Sequence, residues 1–312
     1  MNFFDLHCDT IGECYLQKKS LKTNDLHISL DKAKDLEKWA QLFAIWIPDE
    51  KRGQEALQYF KNVYDVFLRE IQNNESDISF CRNSEDIDKA FKASQYSALL
   101  GVEGGAAIAG RLENLDFLYD CGVRLMTLTW NDSNEIANGC FSKDTSGLTA
   151  FGKETVKYMQ GKNMIVDVSH LNRKGFYDVV DITEKPFVAS HSNSDKVYSH
   201  PRNLTDEQID IMIERKCLIG LNLYTKFLGE SEQSGCDEAL KHAYHILERG
   251  GEKVLAMGTD FDGCTVADKI AGIDKISVLA DYFENHGISK QSVENIFFDN
   301  AKIFFSRVLQ MQ

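Results

Sequence analysis

Residues 1–10 read MNFFDLHCDT: an apolar opening run, Asn2–Leu6, that passes at once into His7 and Asp9. The run has the character of a β-strand. Side chains alternate faces along a strand, so positions two apart share one. His7 and Asp9 are therefore expected on one face at the strand's carboxyl end, with Cys8 pointing the other way. An imidazole and a carboxylate so placed are a plausible pair of metal ligands. Taken alone, the pair is better read as a simple His–Asp hydrogen bond at a strand end. The choice between the two, and with it the fold, turns on whether other strands in the chain end the same way.

Short apolar, β-branched runs do recur, near Gln41–Ile47, Ser97–Val102, Arg124–Thr129, Met164–Val168, Pro186–Ser190, Cys217–Leu221 and Val254–Gly258. Longer amphipathic stretches separate them, among them Gln54–Asn73, Ser84–Ala93, Ala150–Gln160, Thr205–Lys216 and Asp237–Arg249. Thr205 with Gln208 three residues on resembles a capping box, which marks a helix start. Strands alternating with helices imply parallel βαβ units. Eight of them in 312 residues fit a (β/α)8 barrel of the α/β class better than an open sheet. No Gly-x-Gly-x-x-Gly comes after the first strand, which weighs against an open dinucleotide-binding sheet. Only three prolines occur and no Gly/Ser-rich linker divides the chain, so one barrel over residues 1–312 is expected.

In such a barrel the chemistry sits at the carboxyl ends of the strands. The first run ends in His7 and Asp9, the third in Glu103 within Gly101-Val102-Glu103-Gly104-Gly105, and the fourth in Trp130. The fifth leads to His170 in Val168-Ser169-His170 and the sixth to His191 in Ser190-His191-Ser192. Asn222 and Tyr224 stand after the seventh, and Asp260 after the eighth in Gly258-Thr259-Asp260-Phe261-Asp262-Gly263. Three histidines and three carboxylates on one rim are too many for independent accidents. The glycines beside Glu103 and Asp260 permit close backbone approach. The ligand count suggests two divalent cations. One takes His7, Asp9 and one oxygen of Glu103; the other takes the second oxygen of Glu103, His170 and His191. Mixed imidazole and carboxylate ligation suits Zn2+, with Mn2+ or Co2+ as alternatives. A bridging water acidified by both ions would attack a carbonyl, with Asp260 carrying the proton to the leaving amine.

The totals exclude some functions. Lys and Arg number 35 against 48 Asp and Glu, a net charge of −13, so binding to nucleic acid or an anionic membrane surface is not expected. No segment approaches the roughly 18 apolar residues of a membrane helix. The N-terminus enters a strand at once, with no room for a leader. The eight cysteines are scattered and form no Cys-x-x-Cys, as in a reduced cytosolic chain. The expected location is cytoplasmic. Of the remaining histidines, His242 and His245 are expected to face solvent from a polar helix, and His27 and His286 to lie in loops. His200 is a candidate for the pocket wall.

Five segments, Asp5–Asp9, Val102–Gly104, Val168–His170, Ser190–Ser192 and Gly258–Gly263, resemble in order the motifs of the membrane (renal) dipeptidase family, dinuclear zinc peptidases of the amidohydrolase-like barrels. The resemblance implies a bridging role for Glu103, an acid/base role for Asp260, and a loop role for Asp262. It implies that Arg202, eleven residues past His191, holds the substrate's C-terminal carboxylate, a role its forked guanidinium fits. It also implies Tyr224 in the substrate pocket, tolerance of a C-terminal D-residue, and a homodimer. One departure matters. The family carries a histidine in a Leu-Thr-His segment where this chain has Leu128-Thr129-Trp130. That histidine is thought to stabilise the oxyanion, and losing such a donor can cost about 10²–10³ in rate. Either Trp130, Asn131 or Asn134 supplies the donor, or the substrate range differs. Two other readings stand beside the dipeptidase: another hydrolase on the same site, opening a lactone or deacylating an amino acid, and an inactive metal-binding homologue.

Overall fold

The computed structural model describes residues 1–310; residues 311 and 312, the end of the expected barrel span, lie outside the described residues. Nine parallel strands are present among the described residues: β1 (Asn2–Cys8), β2 (Lys38–Trp46), β3 (Ile78–Phe80), β4 (Tyr96–Glu103), β5 (Val123–Thr127), β6 (Ile165–Asp167), β7 (Val188–Ala189), β8 (Leu218–Leu221) and β9 (Leu255–Met257). β2 pairs directly with β4, from Ala40 opposite Ser97 to Trp46 opposite Glu103. That pairing closes β1, β2 and β4–β9 into an eight-stranded barrel. β3 stays outside the ring, paired with the start of β4 below the point where β5 takes over. Its three residues are too short to register as a periodic pattern, and it does not stand among the strands expected from the sequence.

Every barrel strand contributes to an inner apolar layer: Phe4, Leu42, Leu99, Leu125, Ile165, Val188, Leu218 and Ala256. This layer fills the barrel, as small closed barrels require. The helix Asn300–Val308 closes the floor with Phe304 and Phe305, which belong to the same cluster. The outward-facing residues, such as Phe3, Trp39, Leu100 and Ile219, pack against the surrounding helices in a second, larger cluster. The interior thus becomes available to polar groups only above the apolar layer, at the carboxyl ends of the strands.

The expected helices form at Gly53–Asn73, Ser84–Lys92, Ala150–Gly161, Asp206–Glu214 and Cys236–Glu248. The capping box is present: the Gln208 N–H donates to Thr205 Oγ1 at 3.3 Å, and the Thr205 N–H donates to Gln208 Oε1 at 2.9 Å.

One expectation about the helices is overturned. His242 does not face solvent; it is fully buried. Ala239 and Ile246 lie three and four residues from it, and with Leu240 and Ala243 they form the buried side of the same helix. Its Nδ1 accepts from the Ser194 N–H at 3.1 Å and its Nε2 donates to the Leu228 carbonyl at 3.0 Å. The polar appearance of the run came from its other face. His245 is on that face but is not free either, since it pairs with Asp206 at 2.7 Å.

Candidate metal centre

His7 lies inside β1 rather than beyond it, and simple alternation does not explain its direction. Phe4 and Leu6 face the barrel interior, while Phe3 and Cys8 pack outward. Strict alternation would send His7 outward with Phe3 and Asp5. Against β2, however, the register moves from Asp5 opposite Gln41 to Cys8 opposite Phe43, three steps on β1 for two on β2. This bulge turns His7 inward, a common use of bulges beside active sites. Asp9 reaches the same place by another route. It sits at the N-cap of the helix Thr10–Gln17, with φ −101° and ψ 7°, yet its side chain caps nothing. An aspartate there ordinarily accepts an N–H of the first turn; this one is turned to the rim instead.

The six candidate residues converge. His7 Nε2 lies 3.5 Å from Asp9 Oδ2, 3.7 Å from Glu103 Oε2 and 4.0 Å from Asp260 Oδ1. Glu103 Oε1 faces the other way, 2.8 Å from His170 Nε2 and 3.4 Å from His191 Nε2. Three ligand groupings result: His7, Asp9 and Glu103; Glu103, His170 and His191; and His7, His191 and Asp260. All six residues are at least nine-tenths buried.

These residues suit cations and little else. The Nε2 atoms of His170 and His191 are 3.0 Å apart. Both nitrogens of His7 and the Oδ1 of Asp9 are buried with no hydrogen-bond partner. Unpartnered buried polar atoms cost about 1–3 kcal/mol each, so a native fold keeps them for a reason. Burial pushes the Glu103 carboxyl well above its usual range, and Asp9 and Asp260 add to the effect against the pull of His7. Burial opposes a charged His7, but Glu103, Asp9 and Asp260 outweigh it and push the imidazole up to about 10. Burial, with Arg202 and His7 nearby, holds His170 well below its usual range; for His191, burial comes first, then His7 and Arg202. The cluster calls for positive charge between its carboxylates, and His7 attracts a proton where a metal would sit.

Backbone geometry is spent on this arrangement. His170 and Asp260 adopt left-handed φ values of 66° and 61°, unusual for residues with a side chain. Gly104, next to Glu103, has φ +101°. At Gly263 a Cβ would lie 2.0 Å from Asp9 Oδ2 and 2.7 Å from Asp260 Oδ1, so only glycine lets the two carboxylates sit this close to the chain.

Asp260 is held by Asn222, whose Nδ2 donates to Oδ2 at 3.0 Å and leaves Oδ1 toward His7. Burial raises its carboxyl to about 6, with His7 opposing and Asp9 reinforcing. Asp262 is occupied elsewhere: it accepts from Thr10 Oγ1 at 2.6 Å and from the His27 N–H at 2.6 Å, tying two loops together.

The centre opens into a cavity of about 450 Å³ walled by Trp46, Trp130, Phe141, His200, Tyr224 and Phe227. That volume suits a small molecule. Two larger grooves, of about 630 and 650 Å³, have no histidine among their described lining residues. Trp130 packs edge-on against Trp46 at 4.9 Å. Asn134 is spent inside its own loop, donating to the Leu128 carbonyl at 2.8 Å, and is not free to face a substrate. Arg202 is buried, its guanidinium 5.3 Å from the ring of Phe227, one of the wall residues. One of its amino groups donates to the His191 carbonyl at 3.2 Å, and its Nε has no partner.

Asn131, Asp167, Ser190, Asn222 and Gly263 also build the site, by holding or making room for the candidate ligands and Asp260, and the sequence suggested no such role for them. Asp167 and Ser190 stand within three residues of the motif histidines, which was the available signal.

The family model for membrane dipeptidase, peptidase family M19, matches residues 1–311. The chain belongs to this family. It is 29% identical over 233 residues to an uncharacterised protein of Klebsiella pneumoniae, covering 72% of this chain and 86% of that one. It is 30% identical over 224 residues to an uncharacterised dipeptidase of Schizosaccharomyces pombe, covering 70% of this chain and 53% of that one. Among solved structures, the dipeptidase AC, a metallo-peptidase of family M19, superposes with a TM-score of 0.92 at 25% identity over 99% of each chain. A metallo-peptidase from Rhodobacter sphaeroides shares the fold at a TM-score of 0.91 and 24% identity, again over 99% of each chain.

Proposed function

We propose that this member of the family hydrolyses dipeptides at a centre of two divalent cations. The observation that carries the reading is the orientation of Glu103, with Oε2 toward His7 and Asp9 and Oε1 toward His170 and His191. One cation would be held by His7, Asp9 and Oε2, the other by Oε1, His170 and His191. Imidazole and carboxylate donors in this mixture suit zinc, with manganese or cobalt as alternatives. Bound there, two such ions supply an activated water and positive charge for the oxygen of an attacked carbonyl.

The remaining tasks fall to this chain's own side chains. Asp260 Oδ1 faces the centre and takes up the proton of the attacking water, then returns it to the leaving amine; a carboxyl near neutral in affinity is suited to both. Asn222 keeps that carboxylate turned inward. Arg202 receives the substrate's C-terminal carboxylate, which its unpartnered Nε supports. A buried guanidinium without an anion is costly, and a carboxylate relieves it. Trp46, Trp130 and Tyr224 wall the bound peptide from water. Trp46 Nε1, buried and unpartnered, is a further N–H at this wall. The eight cysteines, all free, suit a reducing compartment and support a cytoplasmic location.

The test is hydrolysis of a panel of dipeptides with L- and D-residues at the second position, by zinc-loaded protein and after chelation. Activity that vanishes with chelator and returns with zinc is expected. Arg202→Ala is expected to raise KM by about a hundredfold for dipeptides, the range for losing a buried charge-assisted pair. An unchanged KM would remove the carboxylate role and leave lactones as the substrate class to try.

A further inference from the structure

Each of the three site histidines turns one ring nitrogen toward the carboxylates, so its other nitrogen decides how firmly the ring is held. His170 Nδ1 lies 3.0 Å from Asn131 Oδ1. An amide oxygen only accepts, so Nδ1 carries the hydrogen and Nε2 presents a lone pair to the centre. His191 Nδ1 lies 2.7 Å from Ser190 Oγ, which lies 2.6 Å from Asp167 Oδ2. Asp167 is fully buried and also accepts from the N–H groups of Ser169 at 3.0 Å and Ser190 at 2.9 Å, and from the Thr127 hydroxyl at 2.5 Å. As a pure acceptor it draws the single Ser190 proton, and Ser190 Oγ then accepts from His191 Nδ1–H. The result is a chain from imidazole to hydroxyl to carboxylate that fixes the His191 tautomer. His7 has nothing equivalent. Neither of its nitrogens has a hydrogen-bond partner, its ring only packs against that of His191 at 3.9 Å, and its neighbour Asp9 also has an unpartnered oxygen.

We propose that Asn131 and the Ser190–Asp167 pair are positioning residues that make the two ends of Glu103 unequal. The His170–His191 end is the first and tighter cation site, and the His7–Asp9 end is the second and weaker one. The physical reason is preorganisation. Rings already held in the binding tautomer and direction lose no further freedom when a cation arrives, and the carboxylate behind Ser190 makes His191 a more basic donor. The His7 end must be ordered by the ion itself. This inference rests on the two-cation reading of the centre.

The experiment is calorimetric titration of the metal-free, full-length protein with Zn2+, repeated with Co2+ so that the visible spectrum reports the coordination of each step. Two steps are expected, the first at least tenfold tighter. Ser190→Ala and Asn131→Ala are each expected to weaken that first step by about 10–100-fold and to move the second by less than threefold. His7→Ala is expected to remove the second step alone. The Asn131 side chain makes no other hydrogen bond among the described residues, so its variant reads ring orientation without disturbing the buried Asp167 network. Asn131→Asp, which keeps the acceptor, is expected to restore the first step. Two ions of equal affinity would overturn the inference and leave the two-cation reading intact. So would a Ser190→Ala protein that loses the same step as His7→Ala. A single ion per chain at saturation would overturn both.

Discussion

His7 at the end of β1 and His242 on the helix Cys236–Glu248 are equally buried, with no exposed surface on either. They differ in what their nitrogens do. His242 uses both, accepting from Ser194 and donating to Leu228. His7 uses neither, and three carboxylates surround it at 3.5–4.0 Å. A buried imidazole with its hydrogen bonds complete is a piece of architecture. One left incomplete among carboxylates keeps its capacity for something that arrives later. Burial alone would have put both in one class; saturation of the hydrogen bonds separates them.

Substitution should separate the two histidines in opposite directions. The largest effect is expected from His7→Ala, which should lower dipeptide turnover by about 10²-fold or more. At pH 7 the metal-free variant should lose stability, because a protonated His7 offsets the charges of Glu103, Asp9 and Asp260. In urea unfolding above pH 10, where the wild-type ring is neutral, the two proteins should agree within about 1 kcal/mol, since no hydrogen bond is lost. A large difference there would show that His7 is structural after all. His242→Leu should behave in the opposite way. It strands the Ser194 N–H and the Leu228 carbonyl, so about 2–4 kcal/mol of stability should disappear, while zinc content and turnover per folded molecule stay within about twofold of wild type.

Acid should draw the two further apart. Burial lowers His242 to about 4, from an ordinary value of 6.5. Between those values the unfolded chain binds a proton that the folded chain refuses, so stability falls as pH drops through this window. The expected loss is on the order of 2 kcal/mol by pH 4.5. Urea unfolding of the metal-free protein at pH 7 and 4.5 should show that component in wild type and not in His242→Leu. The smallest effect is expected from Gly263→Ala. Its Cβ would stand 2.0 Å from Asp9 Oδ2 and 2.7 Å from Asp260 Oδ1, so the Asp9 carboxylate must move by about an ångström, lowering turnover by about tenfold or more with little change in stability. Unchanged turnover would mean that the spacing of His7's carboxylate neighbours is not critical.

Much of the site could be read without a structure because its parts lie in short runs. Val168-Ser169-His170 and Ser190-His191-Ser192 each place a ligand directly after an apolar strand, and strand order alone puts those ends on one rim. His242 faces inward although the sequence places it in solvent, because two of the four apolar residues buried beside it, Ala239 and Ala243, are alanines, which hardly mark a face by hydropathy. In the sequence Asn131 stands only as a candidate donor to substrate. Its contact with His170 spans 39 residues and belongs to a loop whose path no local pattern reports.

The alternation of strands and helices, the eightfold count that closes a barrel and the residue types at the strand ends are all legible in the chain alone. They follow from periodicity, which is written residue by residue. The directions in which those residues point were settled by folding. The bulge between Asp5 and Cys8 exists only in the pairing of β1 with β2. Asp9 serves the rim because a helix begins there and its cap is left unused. Asp5, which accepts from the Thr259 N–H at 2.8 Å across 254 residues, fastens the first strand to the last beneath the site. Such contacts depend on which strands lie side by side after closure, and a hydrogen bond that spans the whole chain leaves no trace in the spacing of its neighbours.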